Sequence, residues 1–220
     1  MRHVISVLTV AWSFVAAAAG ASAVHAQTIA MRAPEAVSPF KRVYGTTQPP
    51  YGFVRFCEEA TEECKSGPSE ESRFNATPER LSQLDEINRH INRTIQPTTD
   101  LELYGVTEYW TLPKSSKGDC EDYALLKRHM LIEQGWPVSS VLMTVVRDEK
   151  GEGHAVLTAR TAQGDFILDN KSEEVKIWHK TGYDFVMRQS FLNPRVWISL
   201  DPTDGSAPAA IAGVKQPTRR

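Results

Sequence analysis

Gly118-Asp119-Cys120-Glu121-Asp122-Tyr123-Ala124 leads into a helix read from Glu121 to Gln134, where Gly135 and Pro137 supply a stop. Directly afterwards the period changes from helix to strand. Val141 to Val146 is rich in β-branched residues, His154 to Ala159 alternates, and Arg147 to Gly153 reads as the turn between them. Asp165 to Asp169 is a third run after a turn at Ala162 to Gly164, and Val175 to Trp178 is a candidate fourth. Upstream, Thr77, Pro78 and Glu79 form a helix start signal. Leu81, Leu84, Ile87, Ile91 and Ile95 then recur at three and four residues as one apolar face, stopped by Pro97. Helices first and an antiparallel strand meander second predict an α+β fold, not a parallel α/β sheet.

The ends read differently. Arg2 and His3 precede an uncharged run from Val4 to Gly20, and Val24-His25-Ala26 puts small residues where a signal peptidase reads. Residues 1–26 are therefore expected to be a signal peptide cleaved after Ala26, with Ala23 as the alternative site. An uncleaved anchor fits less well, because no stop-transfer flank follows. Cleavage leaves about 190 of the 220 residues, enough for one domain with a real core. The proline-bearing stretch up to Pro50 reads as an extended or loosely attached arm, and the arm is taken to run over 27–73. A catalytic domain over 74–200 and a poorly ordered tail over 201–220 complete the expected organisation.

Twenty-seven acidic against 25 basic side chains give a net charge of −2, with no dense Lys/Arg cluster, which argues against a nucleic-acid partner. No stretch after the signal is apolar for long enough to cross a bilayer, so the mature chain is expected to be soluble, periplasmic or else secreted. Three cysteines in an exported chain leave one unpaired. Cys57 and Cys64, in what reads as a polar loop, are the natural pair, although sequence leaves the other two pairings open. Closing so short a loop constrains the unfolded chain by roughly 2–3 kcal/mol in the entropy model. Cys120 is then the free thiol.

Cys120 precedes a strong helix, and the positive end of a helix dipole stabilises a thiolate. A thiolate nucleophile needs a base, and the base needs a third group to hold its tautomer. His154 opens one expected strand and Asp169 closes the next; if the two are antiparallel neighbours, imidazole and carboxylate meet at one edge. Singly, each has an ordinary reading: a buried small hydrophobe, a structural histidine, a turn at Asp169-Asn170. The joint placement is what points to a Cys-His-Asp site. His129 lies out of phase on the helix and His179 in a polar stretch, so neither competes as base.

The block around Cys120, with Tyr109-Trp110-Thr111-Leu112-Pro113 before it and Gly153-His154-Ala155-Val156-Leu157 and Leu168-Asp169-Asn170 after it, resembles the bacterial transglutaminase-like cysteine proteinases, whose best-known members are periplasmic LapG-type proteases. The resemblance runs from about Phe74 to Trp178 and includes the paired Asn88 and Asn92. It implies a papain-like, transglutaminase-like fold and a cysteine peptidase with Cys120, His154 and Asp169 as its triad. LapG-type enzymes release biofilm adhesins from the cell surface by cutting beside a pair of alanines. They depend on calcium and are restrained by an inner-membrane receptor for a cyclic dinucleotide. The Cys57/Cys64 segment and the tail lie outside the resemblance.

Asp119, Glu121 and Asp122 crowd a sulfur that must become an anion, and uncompensated negative charge would raise its pKa. A hard cation held by oxygen ligands would neutralise them, and Asp119 and Glu121 match the calcium positions of LapG-type proteases. The alternative is that Asp119 caps the helix while Glu121 and Asp122 favour its first turn. Asn88, Asn92 and Trp110 are open candidates for an oxyanion donor or pocket wall, beside the Cys120 N–H. The same triad serves peptide hydrolysis, acyl transfer to an amine as in transglutaminases, or a silent peptide-binding module. Hydrolysis is preferred because nothing suggests a water-excluding lid.

Overall fold

A computed structural model describes residues 37–67 and 73–203. The expected signal peptide, the start of the arm and the tail from residue 204 lie outside the described residues. In chain order the elements are β1 (Thr46–Thr47), α1 (Tyr51–Glu59), a 3-10 turn (Thr61–Cys64), α2 (Pro78–Thr94), β2 (Gln96–Pro97), α3 (Asp100–Tyr104), β3 (Lys117–Gly118), α4 (Cys120–Glu133), β4 (Val141–Arg147), β5 (Gly153–Thr161), β6 (Gly164–Asp169), β7 (Ser172–Ile177), β8 (Asp184–Gln189) and β9 (Trp197–Ser199). Helices plus a mostly antiparallel sheet make the chain α+β. The larger sheet has seven strands in the order β1-β9-β8-β4-β5-β6-β7, and β2 pairs with β3 in a separate short parallel ribbon.

Local chemistry explains the two long helices. Thr77 caps α2, its side chain accepting from the Arg80 N–H, with Pro78 in the first turn. Leu84, Ile87 and Ile91 bury one face of α2. Helix α4 is different, because residues on several of its sides are buried: Tyr123, Leu125, Lys127, Arg128 and Leu131 all lie inside. It packs on β4, β5 and β6 and against α2. Met143, Val145, Ala155, Leu157 and Leu168 share the main core with it. A second, smaller cluster holds Val146, Val156, Ile167, Phe185 and Leu200.

The described part of the segment expected to be a loose arm, from residue 37 onward, is instead built into the fold. Thr46 and Thr47 pair with Ile198 and Trp197 as the edge strand, and the Lys41 N–H donates to Asp165. The Cys57/Cys64 stretch is helix α1 followed by a 3-10 turn, not a polar loop; a disulfide joins the two, and both are buried. The reason is α1's apolar face. Phe53 stacks edge-on against Trp110 at 5.7 Å and against Trp197 at 5.2 Å. The last two strands also escaped the sequence reading. Arg188 in β8 breaks the apolar pattern, yet it is buried because its guanidinium donates to Asp165 at 3.2 Å. Chain that returns from β7 to lay β8 against β4 extends the expected meander into an open sheet whose edges are β1 and β7, with the first strand paired to the last in sequence.

Phe53→Ala is expected to destabilise the protein by about 3–5 kcal/mol, measured by chemical denaturation. A loosely attached arm would leave stability unchanged.

Candidate active site

Antiparallel β5 and β6 pair Leu157 with Leu168, so the start of one strand lies beside the end of the other. His154 and Asp169 are thereby brought together: the imidazole Nε2–H donates to Asp169 Oδ1 at 2.8 Å, and both side chains are buried. Asp169 Oδ1 also accepts the Lys171 N–H at 2.9 Å, while Oδ2 accepts the Tyr183 hydroxyl at 2.6 Å. Burial alone would raise the Asp169 pKa, but the bond and charge of His154, with the Lys171 and Tyr183 donors, outweigh it and hold it at about 2.

Cys120 is the first residue of α4 and is partly exposed. Its sulfur faces the backbone N–H of Ala155, the residue after His154. The thiol donates to Glu121 Oε2 at 3.1 Å. Desolvation, then the negative charge of Glu121 and Asp119, pushes the Cys120 thiol well above its ordinary value. Asp119 occupies the N-cap position of α4 but makes no side-chain cap. Gly118 is required by close approach: a Cβ there would lie 2.6 Å from Asp122 Oδ2.

Residues 43–205 match the family model described as bacterial transglutaminase-like cysteine proteinase. The chain belongs to this family. It is therefore a cysteine peptidase. The match begins ahead of α1, so the Cys57/Cys64 segment, read from sequence as outside the resemblance, lies inside the family's region. Among solved structures it is similar to Legionella pneumophila LapG in its calcium-bound form, with 20% identity, TM-score 0.46, and 67% of this chain and 77% of that chain covered. An EGTA-treated form of the same protein gives 20% identity, TM-score 0.46 and 67% and 76% coverage. No curated protein matches significantly.

Within this cysteine proteinase the asparagines of α2 are neither solvated nor free to serve as oxyanion donors. Asn92 donates to the carbonyls of Asp169 and Ser172 at 2.9 and 3.0 Å, and Asn88 donates to those of Ser172 and Glu173. Together they clamp the turn that carries Asp169. Asn88 Oδ1 in turn accepts from Lys127 at 2.8 Å. Desolvation lowers the Lys127 pKa to about 7, against the opposing pull of Asp169 and Glu173. Trp110 is spoken for as well, its indole N–H donating to Glu108 at 2.6 Å. His129 pairs with Glu63 at 2.6 Å, away from the site.

The carboxylates around Cys120 form a larger group than the sequence displayed. Asp100, Asp119 and Glu121 each offer an oxygen within 4.8 Å of the others. Asp100 Oδ1, Glu108 Oε2, Asp119 Oδ1, Glu121 Oε1 and Asp122 Oδ2 are buried without a hydrogen-bond partner. Asp100 carries no mark in the sequence; in the structure it opens α3 after the Thr99 cap, and burial is what sets it apart. Desolvation first, then Asp119, raises the Asp100 pKa to about 6 and the Asp122 pKa to about 8.

A carboxyl group with a raised folded-state pKa binds protons more tightly when folded, so stability falls as pH rises from the unfolded value toward the folded one. Asp169, held low, contributes a constant term above about pH 4, and Lys127 acts in the opposite direction only above about pH 7. In excess chelator the melting temperature is therefore expected to be lower at pH 7 than at pH 5. A higher melting temperature at pH 7 would contradict these raised values.

Proposed function

We propose that this family member is an exported, calcium-dependent cysteine endopeptidase with Cys120 as nucleophile, His154 as general base and Asp169 as the carboxylate that orients it. The observation that carries the reading is the buried His154–Asp169 hydrogen bond, one residue from the Ala155 N–H that faces the Cys120 sulfur. With Nε2 committed to Asp169, Nδ1 is the ring nitrogen left to exchange a proton with the thiol. The thiolate attacks the scissile carbonyl, and the Cys120 N–H at the start of α4 supplies one donor to the oxyanion. The imidazolium then protonates the leaving amine. Water, deprotonated by His154, hydrolyses the thioester and regenerates the thiol.

Asp100, Asp119 and Glu121 fit a hard cation, because buried carboxylate oxygens without donors are the ligands such an ion takes. Bound there, calcium would neutralise the charge that otherwise favours the protonated thiol. The protein's own part is to hold these oxygens together at the start of α4. The alternative role of Asp119 as helix cap has no side-chain hydrogen bond to support it. The resemblance to LapG-type proteases makes a surface adhesin the substrate class to examine and an inner-membrane receptor the regulator to examine. A periplasmic location after signal removal belongs to the same reading.

Cys120→Ala and His154→Ala are each expected to lower turnover by about a thousandfold or more with the fold intact, and Asp169→Asn by less. Comparing surface and secreted proteins of cells carrying wild type or Cys120→Ala names the substrate, as a shortened species present only with wild type. Near wild-type turnover in either of the first two variants overturns the triad.

Chelation is expected to abolish activity, and calcium to restore it better than magnesium, which demands a tighter octahedral shell. Asp119→Asn and Glu121→Gln should weaken calcium affinity and activity together. Full activity in chelator, with no calcium-dependent rise in melting temperature, rejects the cation.

A further inference from the structure

The triad has a fourth partner that comes from a different part of the chain. Tyr183 stands just before β8, and its backbone N–H donates to Thr181 Oγ1, which itself donates to the Trp178 carbonyl. These bonds hold the phenol against the site independently of β5 and β6. Its hydroxyl donates to Asp169 Oδ2 at 2.6 Å, the oxygen that neither His154 nor the Lys171 N–H uses. Its ring stands edge-on to the imidazole, 5.8 Å between centroids and 83° between planes.

An aspartate carboxylate rotates through a broad, two-fold torsional well, so one bond to His154 does not fix its plane. Two donors on Oδ1 and a third on Oδ2, arriving from separate elements, do. We propose that Tyr183 is a positioning residue of the triad, locking the Asp169 carboxylate so that His154 keeps one ring orientation and one tautomer toward Cys120. The proposal rests on the triad reading above. Asn92 holds the Asp169 backbone and Tyr183 holds its side chain, so the two act on different degrees of freedom. Burial and the charge of Asp169 raise the Tyr183 pKa, so the hydroxyl remains a donor throughout the range in which the thiol works.

The test uses the rate at which iodoacetamide alkylates Cys120 at pH 7 with calcium present, which needs no knowledge of the substrate and reports thiolate formation. Tyr183→Phe keeps the ring and removes one oxygen. It is expected to slow alkylation about tenfold, with a modest fall in melting temperature because Asp169 Oδ2 loses a donor. In an Asp169→Asn background the same substitution is expected to change the rate less than twofold, because its effect passes through the carboxylate. A merely structural tyrosine would slow both backgrounds by one factor, which overturns the proposal, as does a wild-type rate in Tyr183→Phe. His154→Ala separates the two readings. If it alkylates as fast as wild type, the triad itself fails; if it is slow while Tyr183→Phe is fast, only the role of Tyr183 fails.

Discussion

Helix α4 is buried on several sides, and much of the structure answers to that constraint. A helix so enclosed must find internal partners for the charged side chains it buries. Arg128 is satisfied by the carbonyls of Val141 and Glu63, and Lys127 by Asn88. These bonds tie the strand after the helix, the 3-10 turn before α2, and α2 itself to one central element. The Cys57–Cys64 disulfide sits in the segment that supplies Glu63, so what reads as a stapled loop closes over the side of α4.

At the N-terminus of α4 the same enclosure creates an electrostatic conflict. The helix dipole favours a thiolate on Cys120, while Glu121 and Asp119 oppose it from inside the same buried volume. At interaction distances of a few ångströms in a medium far less polar than water, the carboxylates win over the partial charge of the helix end. Charge balance at this point is therefore the condition on which a thiolate at Cys120 depends, and it is why a cation enters the proposed function at all. The opposite side of the site carries no such conflict. Asp169 is surrounded by donors from His154, Lys171 and Tyr183, and remains a carboxylate despite burial.

The two halves of the site are held by different means. Cys120 is placed by helix geometry, in a motif where Gly118 leaves room for Asp122 and Asp122 accepts the Thr111 N–H. His154 and Asp169 are placed by strand register, and the turn after Asp169 is pinned by Asn88 and Asn92 from α2. An asparagine pair one turn apart on a helix is suited to this, because it presents two amide donors to successive carbonyls of a passing turn.

Local chemistry along the chain was enough to determine the helix that Thr77 and Pro78 start, the stop at Gly135, and the strands that carry His154 and Asp169, since caps, turns and period-two alternation act over a few residues. It also marked Cys120, Asp119 and Glu121, because they are adjacent in sequence. What only tertiary structure decided is each role set by burial or by distant partners. Helix α1 was hidden because its phenylalanines meet Trp110 and Trp197 far along the chain. Strand β8 was hidden because Arg188 is neutralised by Asp165. Asp100 is an ordinary first-turn acid until the fold seals it beside Asp119, and Tyr183 an ordinary loop tyrosine until its hydroxyl reaches Asp169. The strength of a charge or hydrogen bond depends on the surrounding dielectric and on the partner opposite it, and neither exists until the chain has packed.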